Sequence, residues 1–213
     1  MTFKLSAINY QLSIIACSLW LIGCSTKPEK PLPIFGEREV VGTDTIYHAI
    51  SNFQFVNQDS VIVTNETFKN KIYVADFFFT SCRTICPIMK TQMARVNIAV
   101  QDMPDVLILS HSIDPEYDTV GLLHDYAERL GAKNNKWYFV TGKPRDYVFN
   151  IAQTSYFATA MEDKSEPDGF VHSGAFLLID KAGRLRGKYD GTKEDDVNRL
   201  IEDIKRLRKE YEK

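Results

Sequence analysis

The strongest constraint on this chain is an apolar run at residues 71–79 that ends just before two cysteines and a proline. The run, KIYVADFFF, is bounded by polar residues, which is typical of a central strand buried on both faces. Pro87 suits the first turn of a helix. Apolar residues then recur at the spacing of a packed helical face, namely Met89, Met93, Val96 and Val100. The sequence therefore predicts a buried strand, a turn carrying Cys82, and a helix that starts at Cys86.

Strands and helices alternate along the rest of the chain. The predicted segments are one or two short strands within residues 40–57, a strand at 105–110, a helix ending at Gly131, a strand at 137–140, a helix opening at Pro144, a hairpin at 175–179 and 185–189, and a final helix at 193–213. This order predicts an α/β fold with a mixed central sheet and helices on both faces. A strand that leads into a cysteine-bearing turn and a helix N-terminus is the thioredoxin arrangement, so we expect a thioredoxin-like fold.

The composition is that of an ordinary soluble globular chain, with 44% apolar and 25% charged residues. It argues against disorder, collagen-like repeats and a polytopic membrane protein. The formal net charge of −2 argues against nucleic-acid binding, which needs a basic excess or a basic stripe. Four cysteines are too few for a disulfide-stapled miniprotein, so we do not expect them to act as scaffolding.

The N-terminus resembles a bacterial lipoprotein signal peptide. Lys4 precedes an apolar run at residues 12–22, which is shorter than the roughly 20 residues of a spanning helix. The run ends in LIGC, and the resemblance implies cleavage before Cys24 and lipid on that residue. An uncleaved N-terminal anchor with an incidental cysteine is the alternative. Ser25, which follows Cys24, leaves the choice between inner and outer bacterial membrane open.

These features predict three parts. Residues 1–23 form the signal peptide, residues 24–39 a lipid-anchored, polar and Pro-rich stalk, and residues 40–213 a thioredoxin-like domain that faces the extracytoplasmic space. Cys17 is lost with the signal peptide, which leaves Cys82 and Cys86 as the free thiols of the mature protein.

The two cysteines stand four residues apart on a loop that closes into a helix N-terminus. They are close enough to form a disulfide or to share a metal ion. The helix dipole and the charge of Arg83 favour the thiolate, which is both the nucleophile and the soft metal ligand. The alternative is a purely structural disulfide, although a bridge that closes so short a loop constrains the unfolded chain little.

Four further features accompany the cysteines. His172 lies just before the predicted strand at residues 175–179, and a lone histidine is usually a surface or hydrogen-bonded core residue. Asp114 and Asp118 follow the second strand at the edge where α/β folds bind ligands, with helix capping as the alternative. His111 is interpreted as a surface histidine, with an added metal ligand as the alternative. Residues 157–168 form a predicted polar loop that moves His172 toward the cysteines.

Three segments, FTSCRTICPIMK, SIDPEYDT and VHSGAFLLID, together resemble the Sco/SenC family of thioredoxin-fold copper-binding proteins over about residues 50–210. The resemblance implies that Cys82, Cys86 and His172 bind copper, and it places Asp114 and Asp118 in the family's DPxxDT element. It also implies delivery of copper to the binuclear copper site of cytochrome c oxidase, or reduction of the cysteines at that site. The implied partners are the copper-bearing oxidase subunit or another copper chaperone.

Three functions follow as hypotheses. The first is a membrane-tethered copper chaperone, because two thiolates favour Cu(I) and an added imidazole also accommodates Cu(II). The second is an enzyme, a thiol–disulfide reductase or a peroxidase-like protein that uses Cys82 and Cys86 without metal. The third is a zinc-binding domain, which is disfavoured because a closed zinc site needs four ligands. A CxxxC spacing, and a histidine where thioredoxins carry a cis-proline, point toward metal binding.

Overall fold

The strand that precedes the two cysteines lies in the middle of a seven-stranded sheet. The computed structural model describes residues 30–132, 135–142, 144–166 and 169–212. The strands in chain order are β1 (Arg38–Val41), β2 (Asp44–Tyr47), β3 (Gln54–Asn57), β4 (Ile62–Thr64), β5 (Ile72–Phe78), β6 (Val106–Ser112), β7 (Trp137–Thr141), β8 (Ala160–Glu162), β9 (Phe170–His172), β10 (Ala175–Ile179) and β11 (Leu185–Asp190). The helices are α1 (Cys86–Ala99), α2 (Val120–Arg129), α3 (Arg145–Asn150) and α4 (Glu194–Glu210), and a π-helical turn, Ile151–Ser155, continues α3.

The main sheet is mixed, as predicted. Its strand order is β11-β10-β5-β6-β7-β3-β4. The three central strands β5, β6 and β7 are parallel to one another, and their immediate neighbours β10 and β3 are antiparallel to them. Every residue of β5 and β6 is buried, which requires cover on both faces of the sheet.

Neighbouring side chains of β5 show which elements provide that cover. Phe78 lies under the ammonium group of Lys90 from α1 and stacks on Tyr126 from α2. Phe77 points to the opposite face and meets the ring of Tyr156, which follows the π-helical turn. Helical segments therefore cover both faces, as the sequence predicts.

Two segments differ from prediction. Residues 40–57 contribute to three strands rather than one or two, and within the described part of the chain β1 and β2 form a separate two-stranded, exposed hairpin. The predicted polar loop at residues 157–168 contains β8, which pairs with β9 in a second two-stranded sheet. The sequence of this segment did not indicate a strand, because only Ala160 of β8 is buried, whereas Met161 and Glu162 face the solvent.

Residues 32–35 are bonded to the last elements of the domain. Arg186 is 4% exposed, and its guanidinium donates to the carbonyls of Leu32 at 2.7 Å and Pro33 at 2.9 Å. The same group pairs with Glu210 of α4, whose other carboxylate oxygen accepts from the Leu32 amide. We call this set, Leu32, Pro33, Arg186 and Glu210, the N-terminal clasp. It brings two residues of the predicted stalk into contact with β11 and α4.

The predicted signal peptide and Cys24 lie outside the described residues. In the part of the chain that the structure does describe, no helix combines the length and the apolar character needed to cross a membrane.

Candidate metal centre

Cys82 and Cys86 occupy the predicted turn and helix start. β5 ends at Phe78, and the turn that follows is closed by a hydrogen bond from the Cys82 amide to the carbonyl of Phe79. Cys86 is the first residue of α1, and Pro87 follows it in the first turn. Both cysteines are buried, and both thiols are free. The predicted strand–cysteine–helix arrangement is confirmed.

His172 joins the two cysteines from a distant part of the sequence. It ends β9, and its Nε2 lies 3.5 Å from Cys86 Sγ and 3.9 Å from Cys82 Sγ. The three ligand atoms all lie within 4.8 Å of one another. A metal bound to sulfur at about 2.3 Å and to nitrogen at about 2.0 Å holds its ligand atoms at most about 4.6 Å apart, so the three atoms lie close to the spacing that one shared ion requires.

A shared hydrogen bond makes the two thiols unequal. The hydrogen bond with Cys86 lowers the pKa of the Cys82 thiol, and hydrogen bonds with His172 and Thr84 add to this effect against the opposing effect of burial. The same bond, together with burial, raises the pKa of Cys86. Hydrogen bonding therefore favours ionisation of Cys82 over Cys86, and a metal that binds both sulfurs must displace any proton that the pair still holds.

Asp118 positions the loop before the cysteines. Its buried carboxylate accepts from the Thr80 amide at 3.1 Å, from the Thr80 hydroxyl, and from the Ser112 hydroxyl at 2.6 Å. Burial raises the pKa of Asp118, and these hydrogen bonds oppose that rise. The N-cap of α2 is Thr119, whose hydroxyl accepts from the Leu122 amide. Asp118 therefore fixes the chain two residues before Cys82 instead of capping the helix.

Asp114 lies in an ion pair away from the sulfur atoms. Its Oδ1 stands 2.6 Å from Nη2 of Arg145 at the start of α3. The possible metal-ligand atoms of Cys82, Cys86 and His172 lie together, and neither Asp114 nor Asp118 joins them.

His111 is not a surface residue, so that interpretation is wrong. It lies fully buried on β6, stacked on Phe77 with 4.9 Å between ring centroids. The rings of Phe55 and Tyr156 meet its edges. Neither ring nitrogen has a hydrogen-bond partner among the described residues, and His111 does not join the ligand group.

This burial predicts a pH-dependent stability. It lowers the pKa of His111 from 6.5 to about 3, so below pH 6.5 the unfolded chain binds a proton that the folded protein excludes. The contribution of His111 is fully present above pH 6.5 and is lost as the pH falls, by about 2 kcal/mol at pH 5. Urea unfolding of the wild type at pH 7 and pH 5 should show this loss, and His111→Phe should reduce it. The exposed His124 supplies the control, since His124→Gln should leave the loss intact.

Sequence reasoning missed a buried ion pair beside the cysteines. Lys90, one helical turn after Cys86, is 2% exposed, and its Nζ lies 2.6 Å from the fully buried carboxylate of Asp76 on β5. Ser110 donates to this carboxylate, accepts from Lys90 and from the indole of Trp137, and so completes a polar network inside the core. The one available signal was an aspartate inside an apolar run.

The family assignment rests on most of the chain. The protein-family model described as SCO1/SenC matches residues 42–209. The chain belongs to the SCO1/SenC family. The Sco/SenC resemblance of the three sequence motifs is therefore confirmed.

Three solved Sco structures are similar to this chain. The SCO1/SenC family lipoprotein from Bacillus anthracis is 29% identical, with a TM-score of 0.69 over 75% of this chain and 95% of that one. BsSco, described as a disulfide-switch member of the Sco family of cytochrome c oxidase assembly proteins, is 31% identical, with a TM-score of 0.66 over 74% and 92%. Copper-bound ScoI from Arabidopsis thaliana is 26% identical, with a TM-score of 0.61 over 74% and 99%. The predicted thioredoxin-like α/β fold is confirmed.

Proposed function

We propose that this protein is a copper chaperone that binds one copper ion through Cys82 Sγ, Cys86 Sγ and His172 Nε2 and assists the assembly of cytochrome c oxidase. The observation that carries the proposal is the approach of these three atoms to within 4.8 Å of one another. The copper ion is cargo to be passed on, to the copper-bearing oxidase subunit or to another copper chaperone.

The donor set suits copper better than zinc. Thiolates are soft ligands that select Cu(I), and the imidazole also allows Cu(II) to be held. A closed zinc site needs a fourth ligand, and within the described residues no further His, Cys, Asp or Glu side chain joins the group. The relatives support the assignment, because ScoI was solved with copper bound and BsSco is described as an oxidase assembly protein.

A thiol–disulfide reductase is the second candidate function, favoured by the unequal thiols. The Cys82 thiolate would attack a partner's disulfide and release one partner thiolate. The Cys86 sulfur, after losing its proton, would then displace the second partner thiolate and leave a Cys82–Cys86 disulfide. The partner gains two electrons and the protein loses two. The copper chaperone and the reductase would thus use the same two cysteines, but only the chaperone would use His172.

Copper titration into reduced and oxidised protein tests the chaperone proposal. The reduced protein is expected to bind one copper ion, and the disulfide form to bind none at this site, because a disulfide has no thiolate to donate. Affinity should weaken as the pH falls, since protons compete for the ligands. Equal binding by both forms would exclude the dithiolate site and leave the reductase as the better assignment.

Lipid attachment at Cys24 is a separate proposal. It rests on the LIGC sequence after the apolar run and is supported by a relative described as a SCO1/SenC family lipoprotein. Cys24→Ser expressed in a bacterium should yield a soluble or unprocessed protein, whereas the wild type should fractionate with the membrane on the extracytoplasmic side. Cys17→Ser is the matched control and should behave as wild type. Normal processing and membrane retention of the Cys24 variant would contradict the assignment.

A further inference from the structure

We propose that Arg145 is a positioning residue whose guanidinium ties the β8–β9 hairpin, and with it His172, to the loop after β6. This bond keeps His172 beside the cysteines and sets how fast copper leaves the site. The copper part of the inference rests on the proposed function, whereas the positioning of the hairpin does not.

The hairpin needs an attachment because it stands outside the main sheet. β8 and β9 have three residues each and, among the described residues, pair with each other and with no other strand, with Ala160 opposite His172 and Glu162 opposite Phe170. A two-stranded hairpin is marginally stable by itself in water. Side-chain contacts must therefore decide how firmly His172 is held over the sulfur atoms.

Arg145 makes contacts on both sides of the gap between hairpin and loop. On the loop side, Nη2 lies 2.6 Å from Asp114 Oδ1 and 2.6 Å from Glu116 Oε2. On the hairpin side, Nη1 pairs with Glu162 of β8, and the guanidinium carbon lies 5.2 Å from the ring centroid of Phe170 on β9. One side chain thus joins the loop to both strands of the hairpin.

The same loop also holds the cysteine side of the centre. The Ser112 hydroxyl accepts from the Asp114 amide and donates to Asp118, and Asp118 accepts from Thr80. The loop therefore fixes the turn before Cys82 through Asp118 and the hairpin of His172 through Arg145. The loop after β6 is thus joined both to the turn that carries Cys82 and, through Arg145, to the hairpin that carries His172.

The positive charge of Arg145 also keeps neighbouring carboxylates from repelling one another. Its guanidinium stands among three carboxylates, those of Asp114, Glu116 and Glu162. Without the positive charge, Glu162 on the hairpin faces two like charges on the loop, so attraction is replaced by repulsion. The hairpin is then pushed away from the loop, and His172 moves with it.

The test compares Arg145→Gln with the matched control Arg199→Gln, which breaks an exposed Arg199–Asp196 pair on α4. Transfer of Cu(I) from each loaded protein to bathocuproine disulfonate is followed by absorbance. Arg145→Gln should transfer about tenfold faster than wild type, as expected for losing several partly exposed charge contacts, and Arg199→Gln should not differ from wild type. Arg145→Gln/Glu162→Gln, which removes the repelled charge, should recover part of the slower rate.

Two further measurements separate positioning from a general loss of structure. In a His172→Ala background, Arg145→Gln should have no further effect on transfer, because it acts through the histidine. In the metal-free proteins, amide hydrogen exchange of β8 and β9 should be faster in Arg145→Gln, while β5 and β6 keep their protection. Unchanged exchange in the hairpin, or an undiminished effect without His172, would overturn the proposal. If wild-type protein binds no copper, the exchange data alone still decide whether Arg145 positions the hairpin.

Discussion

Asp76→Asn is expected to lower the free energy of unfolding by about 3–5 kcal/mol, because it leaves the ammonium group of Lys90 buried without a carboxylate. Asp76 is fully buried and Lys90 is 2% exposed, so water cannot take over the lost interaction. The nearest remaining groups are the Ser110 hydroxyl and the face of the Phe78 ring, and neither supplies a full negative charge. Urea unfolding followed by circular dichroism measures the change.

The double variant Asp76→Asn/Lys90→Met provides the control. Methionine has a similar length and no charge, and asparagine still accepts the hydrogen bond from Ser110. We expect the double variant to regain most of the stability that the single variant loses, since replacing both partners of a buried pair is often nearly neutral. If the single variant were as stable as wild type, the pair would contribute nothing to the fold.

His172→Ala is expected to weaken Cu(II) binding by more than about 100-fold, because loss of a ligand should exceed the 10–100-fold effect of losing a group that supports a ligand. In the proposed centre its imidazole is the one nitrogen ligand, and its Nε2 lies within 3.9 Å of both sulfur atoms. Competition with a chelator of known affinity measures the change. Cu(I) binding should be weakened less, because the two thiolates remain.

The same variant discriminates between the two candidate functions. Reduction of a small disulfide by Cys82 and Cys86 should continue in His172→Ala, since neither sulfur is removed. His124→Ala, on the exposed face of α2, is the control and should match wild type in both assays. Full Cu(II) affinity in the His172 variant would contradict a three-ligand centre.

The core of the fold and the cysteine turn could be predicted because their signals are local. An apolar run, a proline after Cys86 and a regular apolar spacing each lie within a few residues of the element they specify. His172 is different, because no local pattern brings residue 172 beside residue 82. Its place in the predicted site came from the family resemblance, and the pairing of β8 with β9 is what puts it there.

The buried charges and His111 could not be predicted for a related reason. A charged or titratable residue in a sequence is expected at the surface unless a partner is known, and the partners here come from distant segments. Asp76 meets Lys90 across the strand–helix contact, and the rings around His111 come from β3, β5 and the end of the π-helical turn. Such neighbours are defined only once the strands are ordered in the sheet.

The N-terminal clasp determines where tension on the chain enters the domain. Arg186 follows Leu185, which pairs with Ile179, and Ile179 pairs with Tyr73 near the start of β5. Cys82 follows the other end of β5, about 20 Å away at roughly 3.3 Å per residue. A pull at residue 31 is therefore resisted first by several polar bonds at Leu32 and Pro33, which act in parallel on β11 and α4. The turn that carries Cys82 follows the opposite end of β5, and the β8–β9 hairpin that carries His172 leads into the opposite end of β10. Both are therefore separated from the clasp by about the length of one strand.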